Sequence, residues 1–357
     1  MRENVTIYTE QMHSLDKRNI KCSIYNQLYI IHKKEGKTME NKKVVILGGG
    51  TGLSTLLRGL KSFPLNITAV VSVSDDGKST GRLRKEFGIP AVGDIRRVLV
   101  SLSEVEPLVE NVLNYRFNTN SELNGHTVGN LLLTAITNIT GNMSDGIEQI
   151  GKVLNLKGKV LPLTEDNVTL MGKMEDGSII EGEHNITEAG KKITEVFYKE
   201  KPVICENVIN ELKEADLIIF SMGSLYTSII PNLISKEVIK AIDESKAKIM
   251  YTCNMMTQPG ETEGYTISDH IKVLNKYLEN KKVNVVIANN GNVKEEIIHK
   301  YATLEQKDQI ILDNEQRRIL KELNVEIIEN NYVIVEDELI RHNSIKLATD
   351  IFTYLIK

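Results

Sequence analysis

Five residues, Gly48-Gly49-Gly50-Thr51-Gly52, have the composition of an anion cradle. They follow the apolar run of residues 44–47 and precede a helical pattern that starts at Leu53. A buried strand, a glycine turn and a helix N-terminus in that order aim bare backbone N–H groups and the positive end of the helix dipole at one point. Glycine tolerates φ > 0 and lets a phosphate come close to the backbone. A second chemistry-bearing group, Asp75 and Asp76, closes the next strand pattern at residues 67–73. There a carboxylate either caps a helix, holds Mg²⁺ or takes a ribose hydroxyl, as it does in a Rossmann fold. Asp94 stands at the start of a further helix, as an N-cap or a ligand residue, with Arg97 one turn on. His126 lies between glycines at a helix start, and Asn130 four residues later shares its face. A lone histidine of this kind is either structural or a ligand contact.

Three more loops follow strand patterns. Ser221-Met222-Gly223-Ser224 leads into Leu225-Tyr226-Thr227-Ser228, and Asn254, Thr257 and Gln258 belong to the polar loop of residues 254–262. The third is Asn289-Asn290-Gly291. Open α/β sheets bind ligands at the carboxyl ends of their strands, where these loops fall. Arg341-His342-Asn343 precede the last helix, as its cap or as an anion contact. Arg82, Arg84 and Lys85 sit in the basic stretch of residues 78–90, which reads as a solvated loop able to steer an anion. Met255-Met256 reads as packing, and no Ser/His/Asp arrangement or zinc-type His/Cys spacing appears.

The dinucleotide fingerprint fails, since Leu53 and Thr55 stand where its third glycine belongs, and the phosphate-loop pattern GxxxxGK[ST] is absent. An NAD(P) dehydrogenase is therefore a weak reading. The corner indicates a nucleotide or phosphate by another mode.

The elements that must position these residues form an α/β pattern. Strands are expected at residues 44–47, 67–73, 215–220, 248–251 and 283–288, with helices between them. Residues 94–155 read as a helical block inserted between strands. Residues 159–163, 168–174, 179–183 and 194–198 read as an antiparallel addition to the parallel sheet, with the turn Glu175-Asp176-Gly177. Ser268 is the expected cap of the helix that reaches Tyr277, and further strands fall at 310–312, 326–328 and 332–335. Residues 1–40, with a short strand at 26–32, read as an appendage, and Met39 is a second candidate start. The rest, 41–357, reads as one domain.

The chain has 357 residues and a net charge of −4, which argues against a general nucleic-acid binder. It has no Trp and only 6 Phe, which favours an aliphatic sheet flanked by helices. Cys22, Cys205 and Cys253 are sparse and odd in number, as expected in a reducing cytosol. No apolar run approaches the roughly 20 residues of a membrane span, so no membrane insertion is expected.

Seven ordered segments carry a resemblance: VVILGGGTGLSTLLRGLK, VSDDGKSTGRLRKEFGIPAVGDIRRVLVSLSEVEPL, GHTVGNLLL, MEDGSIIEGE, GSLYTSIIPNL, CNMMTQPGETEGYTISDH and LIRHNSIKLA. Together they resemble the bacterial gluconeogenesis factor family, the YvcK proteins, which are similar in turn to the phospholactate transferase CofD. The match spans about nine tenths of the chain, from residue 42 onward.

The resemblance implies a CofD-like, Rossmann-like fold, a mostly parallel sheet with helices on both faces. It implies binding of a UDP-sugar, UDP-N-acetylglucosamine first. It also implies a cytoplasmic role in cell shape and envelope synthesis, through partners it does not name, during growth on gluconeogenic carbon. The diphosphate is then expected on Gly49, Gly50, Thr51 and Gly52 and on the Gly223-Ser224 loop, with Gly48 and Thr227 also at the site. Asp75 or Asp76 would take ribose or Mg²⁺, the one candidate cofactor. Asp94, Arg97, His126, Asn130, Asn254, Thr257, Gln258, Arg341, His342 and Asn343 would complete the site. A CofD-like transferase acting on a nucleoside-diphosphate-linked donor is the alternative, and a homodimer is a reasonable assembly. The chain departs from the family's usual DDGGS at Lys78 and from its usual GPGS at Ser221-Met222.

Overall fold

The computed structural model describes residues 41–336 and 338–357. The expected appendage of residues 1–40, its strand at 26–32 and Cys22 lie outside the described residues.

The sheet begins with β1 (Lys42–Gly48), whose residues 44–47 are fully buried, followed by α1 (Gly50–Leu60) and β2 (Leu65–Val71). In α1 the buried Leu53, Leu56, Leu57 and Leu60 recur at helical spacing and form one apolar face. Five helices then separate β2 from β3: α2 (Lys78–Phe87), α3 (Gly93–Leu102), α4 (Pro107–Asn114), α5 (Val128–Thr140) and α6 (Met143–Val153). Thr127 caps α5 by accepting the Asn130 N–H, and Gly141 ends it in the left-handed conformation.

β3 (Lys159–Pro162) is the edge strand of the main sheet. A separate three-stranded antiparallel sheet follows, with β4 (Leu170–Met174) at its centre, β5 (Ile179–Glu181) and, after the short α7 (Glu183–Glu188), β6 (Ile193–Tyr198). The chain returns to the main sheet through α8 (Glu206–Glu214) and β7 (Leu217–Phe220). A single π turn (Leu225–Ile229) and a 3-10 turn (Ile230–Leu233) precede α9 (Lys236–Glu244). Then come β8 (Lys248–Thr252), α10 (Ile267–Leu278), β9 (Val285–Asn289), α11 (Glu295–Leu304), α12 (Asn314–Glu322) and β10 (Glu326–Asn330). The hairpin of β11 (Val333–Glu336) and β12 (Leu339–His342) leads to α13 (Ser344–Leu355).

The main sheet has seven strands in the order β10-β9-β8-β7-β1-β2-β3, and every pair in it is parallel. From β1 the chain moves outward one way, to β2 and β3; from β7 it moves the other way, to β10. Right-handed crossovers in opposite directions place helices on opposite faces. Accordingly α1 packs on α3 and α13, while α8 packs on α9. With both faces covered, the central strands β1 and β7 are continuous apolar runs rather than alternating ones.

Five sequence expectations change. Residues 78–87 are a helix, not a loop, because Leu83 and the Arg84 stem turn inward among small residues. Residues 159–162 join the parallel sheet beside β2, and only the strands after them are antiparallel, in a sheet of their own. The cap of α10 is Thr266, in a reciprocal box with Asp269, rather than Ser268. Residues 310–312 form no strand; only an isolated bridge, Met256 with Gln309, ties that segment down. Arg341 and His342 lie inside β12, so Asn343 alone caps α13, accepting the Lys346 N–H.

Candidate ligand-binding site

β1 and β7 are neighbours at the point where the strand order reverses, which opens a crevice beyond their carboxyl ends. They end together: Leu47 is level with Phe220, and Gly48 is level with Val71 of β2. Gly50 starts α1 at φ +63°, in the left-handed region. Gly52 is helical, and its role is proximity: a Cβ there would lie 1.4 Å from the Met222 carbonyl oxygen. The turn after β1 therefore rests directly on the turn after β7. Asn254, beyond β8, fixes that second turn by accepting the Gly223 N–H at 2.9 Å and donating to the Gly223 oxygen at 2.6 Å. Thr51 is exposed at the lip, and Gly50, Gly52, Gly223 and Ser224 are half-buried.

Asp94 does not cap its own helix, whose cap is Val92. It reaches across to the α1 N-terminus, where a Cβ on Gly49 would sit 2.6 Å from Asp94 Oδ2 and the Gly50 N–H donates to the carboxylate. Arg97 Nη1 donates to Asp94 Oδ1 at 2.9 Å and stands over Gly50, with its side chain 44% exposed. Burial first, and the neighbouring Asp75 second, raise the Asp94 carboxyl to about 6 against the pull of Arg97 and Gly50. Arg97 is thus a partly free cation at the mouth of the corner.

Two further carboxyls gather around Thr227 in the turn after β7. Glu183, the first residue of α7, is raised to about 8 by burial, then by Asp75 and Asp94, with the Thr227 hydroxyl opposing. Glu261 is buried and accepts from Ser224, Thr227 and the Tyr226 N–H. Neither was singled out in the sequence. Each follows a glycine-containing turn in a segment that carries the family resemblance (MEDGSIIEGE and QPGETEG), the one signal that could have found them.

Asp75 and Asp76 diverge. Asp75 Oδ1 accepts the Gly77 N–H at 2.9 Å and its other oxygen faces Gly93. Asp76 turns to the small sheet, where Oδ1 accepts the His184 N–H at 2.9 Å and so caps α7. Arg84, far from solvated, is buried and donates to the Ser74 and Asp75 carbonyls at 3.1 Å and to Asn167 Oδ1 and Val168 O, which holds the Asp75 loop in place. Among the described residues no three His, Cys, Asp or Glu side chains converge to hold a metal ion.

His126 and Asn130 do share a face: Nδ1 of His126 lies 2.9 Å from Ser79 Oγ, and Asn130 Nδ2 donates to the same oxygen at 3.2 Å. Ser79 belongs to α2, directly after the Asp75 loop, so these residues flank the crevice from the helical side. Burial and the nearby Arg82 lower the His126 pKa. Thr257 exchanges hydrogen bonds with Asp308, N–H to O and N–H to Oγ1, each at 2.8 Å, and so pins the β8 loop. Gln258 is half-buried beside it. His342 Nε2 lies 3.2 Å from the Cys253 oxygen, and burial lowers its pKa to about 4. Arg341 is exposed on β12. No hydrogen bond among the described residues joins Thr257, Arg341, His342 or Asn343 to the glycine corner.

Residues 44–333 match the family model described as 2-phospho-L-lactate transferase CofD. The chain belongs to the CofD family. Among curated CofD-family relatives it is 46% identical over 311 residues to a gluconeogenesis factor of Halalkalibacterium halodurans, covering 87% of this chain and 95% of that one. It is 45% identical over 311 residues to the gluconeogenesis factor of Bacillus subtilis, covering 87% and 97%. A crystal structure of a Bacillus halodurans protein matches with TM-score 0.84 and 45% identity, over 88% of this chain and all of that one. Within the CofD family the chain is therefore of the gluconeogenesis-factor kind. No helix of the described residues is long and apolar enough to cross a membrane.

Proposed function

We propose that the chain is a nucleotide-sugar-binding regulatory factor of the cytoplasm, with UDP-N-acetylglucosamine its ligand, acting in cell shape and envelope synthesis during growth on gluconeogenic carbon. The observation that carries the binding step is the pairing of an exposed helix N-terminus with the Gly223-Ser224 turn at the sheet's strand reversal, with Arg97 at its mouth. The diphosphate lies across Gly49, Gly50, Thr51, Gly52, Gly223 and Ser224. His126 and Asn130 stand on the helical side for the sugar or base. The gluconeogenesis-factor name of the relatives supports the physiological half.

A second reading is transfer chemistry on a nucleoside-diphosphate-linked donor, which the CofD family description favours. Asp94, set against the Gly50 N–H, is the residue it would depend on. Isothermal titration with UDP-N-acetylglucosamine, with and without Mg²⁺, tests the binding step. Saturable heat that is lost on Arg97→Ala supports it. Absence of heat and of competition up to about millimolar ligand overturns it. Turnover of the bound donor in the presence of acceptors, abolished by Asp94→Asn, would move the assignment to the transferase.

A further inference from the structure

Beneath the Ser224 turn lies a carboxylate with no cation beside it among the described residues. Glu261 is 3% exposed. Its oxygens accept from Ser224 Oγ at 2.7 and 2.5 Å, from the Tyr226 N–H at 3.3 Å and from Thr227 Oγ1 at 3.3 Å. Ser224 Oγ and Thr227 Oγ1 are 2.5 Å apart. An ionised carboxylate only accepts, so it draws the Ser224 hydroxyl proton inward; Ser224 Oγ also accepts the Thr227 N–H at 3.2 Å, and what it then offers the crevice is its remaining lone pair. A phosphate oxygen needs the opposite, a donor.

The groups around Glu261 do not relieve this. Ser224, Tyr226 and Thr227 approach from the turn after β7, and the charged group that faces it from α7 is another acid, Glu183. Burial raises the Glu261 pKa, and the three donors oppose that rise without cancelling it.

We propose that Glu261 is a positioning residue that reverses the Ser224 hydroxyl when an anion binds. On arrival of a phosphate oxygen, Glu261 takes one proton from solvent and a new O–H bond forms on the carboxyl. That O–H donates to Ser224 Oγ, and the Ser224 O–H turns outward to the phosphate. No other covalent bond changes. Ligand binding is then coupled to uptake of a proton at a residue that never touches the ligand. The inference rests on the diphosphate reading above, and the test separates the two.

Glu261→Gln reproduces the protonated state permanently. Its amide oxygen in the Oε2 place accepts the Tyr226 N–H, and its amide nitrogen in the Oε1 place donates to Ser224 Oγ. Titration of wild type and E261Q with UDP-N-acetylglucosamine in buffers of different ionisation enthalpy, from about pH 6 to about pH 8, counts protons bound with the ligand. The wild type takes up about one proton more than E261Q, and its Kd rises up to about tenfold per pH unit above the free-state pKa of Glu261, while that of E261Q follows only the shallower slope left by Asp94 and Glu183. Glu261→Leu, with its fold checked by circular dichroism, weakens binding by about tenfold or more, because no donor reaches Ser224 and the Tyr226 N–H is left unpaired. Equal proton counts in wild type and E261Q, with binding intact, overturn the role of Glu261 and leave the ligand reading standing. No binding by wild type at any pH removes both.

Discussion

Gly52→Ala tests the contact between the two turns on which the crevice depends. Gly52 lies inside α1 with ordinary helical dihedrals, and at such a position alanine normally stabilises by about 1 kcal/mol. Here the added methyl would lie 1.4 Å from the Met222 oxygen and 2.4 Å from its carbonyl carbon, against the 3.4 Å at which contact becomes ordinary. The obstacle is backbone, so it cannot rotate away. The peptide that must move also carries the Gly223 N–H, which Asn254 accepts, and adjoins the Gly223 oxygen to which Asn254 donates. Overpacking strain of about 2 kcal/mol plus two weakened hydrogen bonds at about 1 kcal/mol each outweighs the helix gain. The net loss is about 3 kcal/mol. At roughly 2 °C per kcal/mol for a unit of this size, Tm falls by about 6 °C. Scanning calorimetry of G52A beside an exposed neighbour control, Thr51→Ala, measures this. A Tm for G52A at or above wild type would mean that helix propensity wins and that the two turns are not in contact.

Two other perturbations follow from single residues. Lys78 starts α2 at φ +32°, in the left-handed region that favours glycine, so Lys78→Gly relieves about 1 kcal/mol of backbone strain. The urea midpoint should rise accordingly, and a fall would refute the strain. Glu183 has a folded pKa of about 8 against an ordinary 4.5, so its neutral form stabilises the fold fully below about pH 4.5, and that stability is lost as pH rises through about 8. Asp94 acts in the same direction through about 6. In Glu183→Gln the decline in stability between about pH 6 and pH 8 should flatten relative to wild type. Parallel curves for the two proteins would show that Glu183 does not titrate with folding.

What the sequence could and could not reveal divides along a physical line. The central strands were legible because a parallel sheet covered on both faces demands unbroken apolar runs, and residues 44–47 and 217–220 are such runs. The glycine corner was legible because glycine type and strand-to-helix position are local properties. α2 was hidden because its buried face is made of Ser79, Thr80, Gly81 and the stem of Arg84 beside Leu83, which carries no hydrophobic period. The partners of Arg84 show why a charged residue can be core: four backbone or amide acceptors converge on it from the Asp75 loop and residues 167–168. Such convergence is a tertiary fact that no window of sequence contains.

The same limit explains the site. Asp94 looked like a cap because position in a helix is local; that it serves the N-terminus of another helix depends on how α3 packs on α1. Glu183 and Glu261 are distant in sequence from each other and from Asp94, and only the approach of the small sheet to the β7 turn sets them around Thr227. The consequence is chemical. A crevice read from sequence as a cradle of N–H groups is bordered in the fold by Asp75, Asp94 and Glu183, with Glu261 buried beneath the Ser224 turn and Arg97 as a nearby cation. A dianionic diphosphate meets like charge there unless protons accompany it. Two of those carboxyls already sit near neutrality, at about 6 and about 8, which is where proton uptake costs least. On the diphosphate reading, ligand affinity and proton concentration would be linked at this crevice by its wall, a coupling that the glycine motif alone does not disclose.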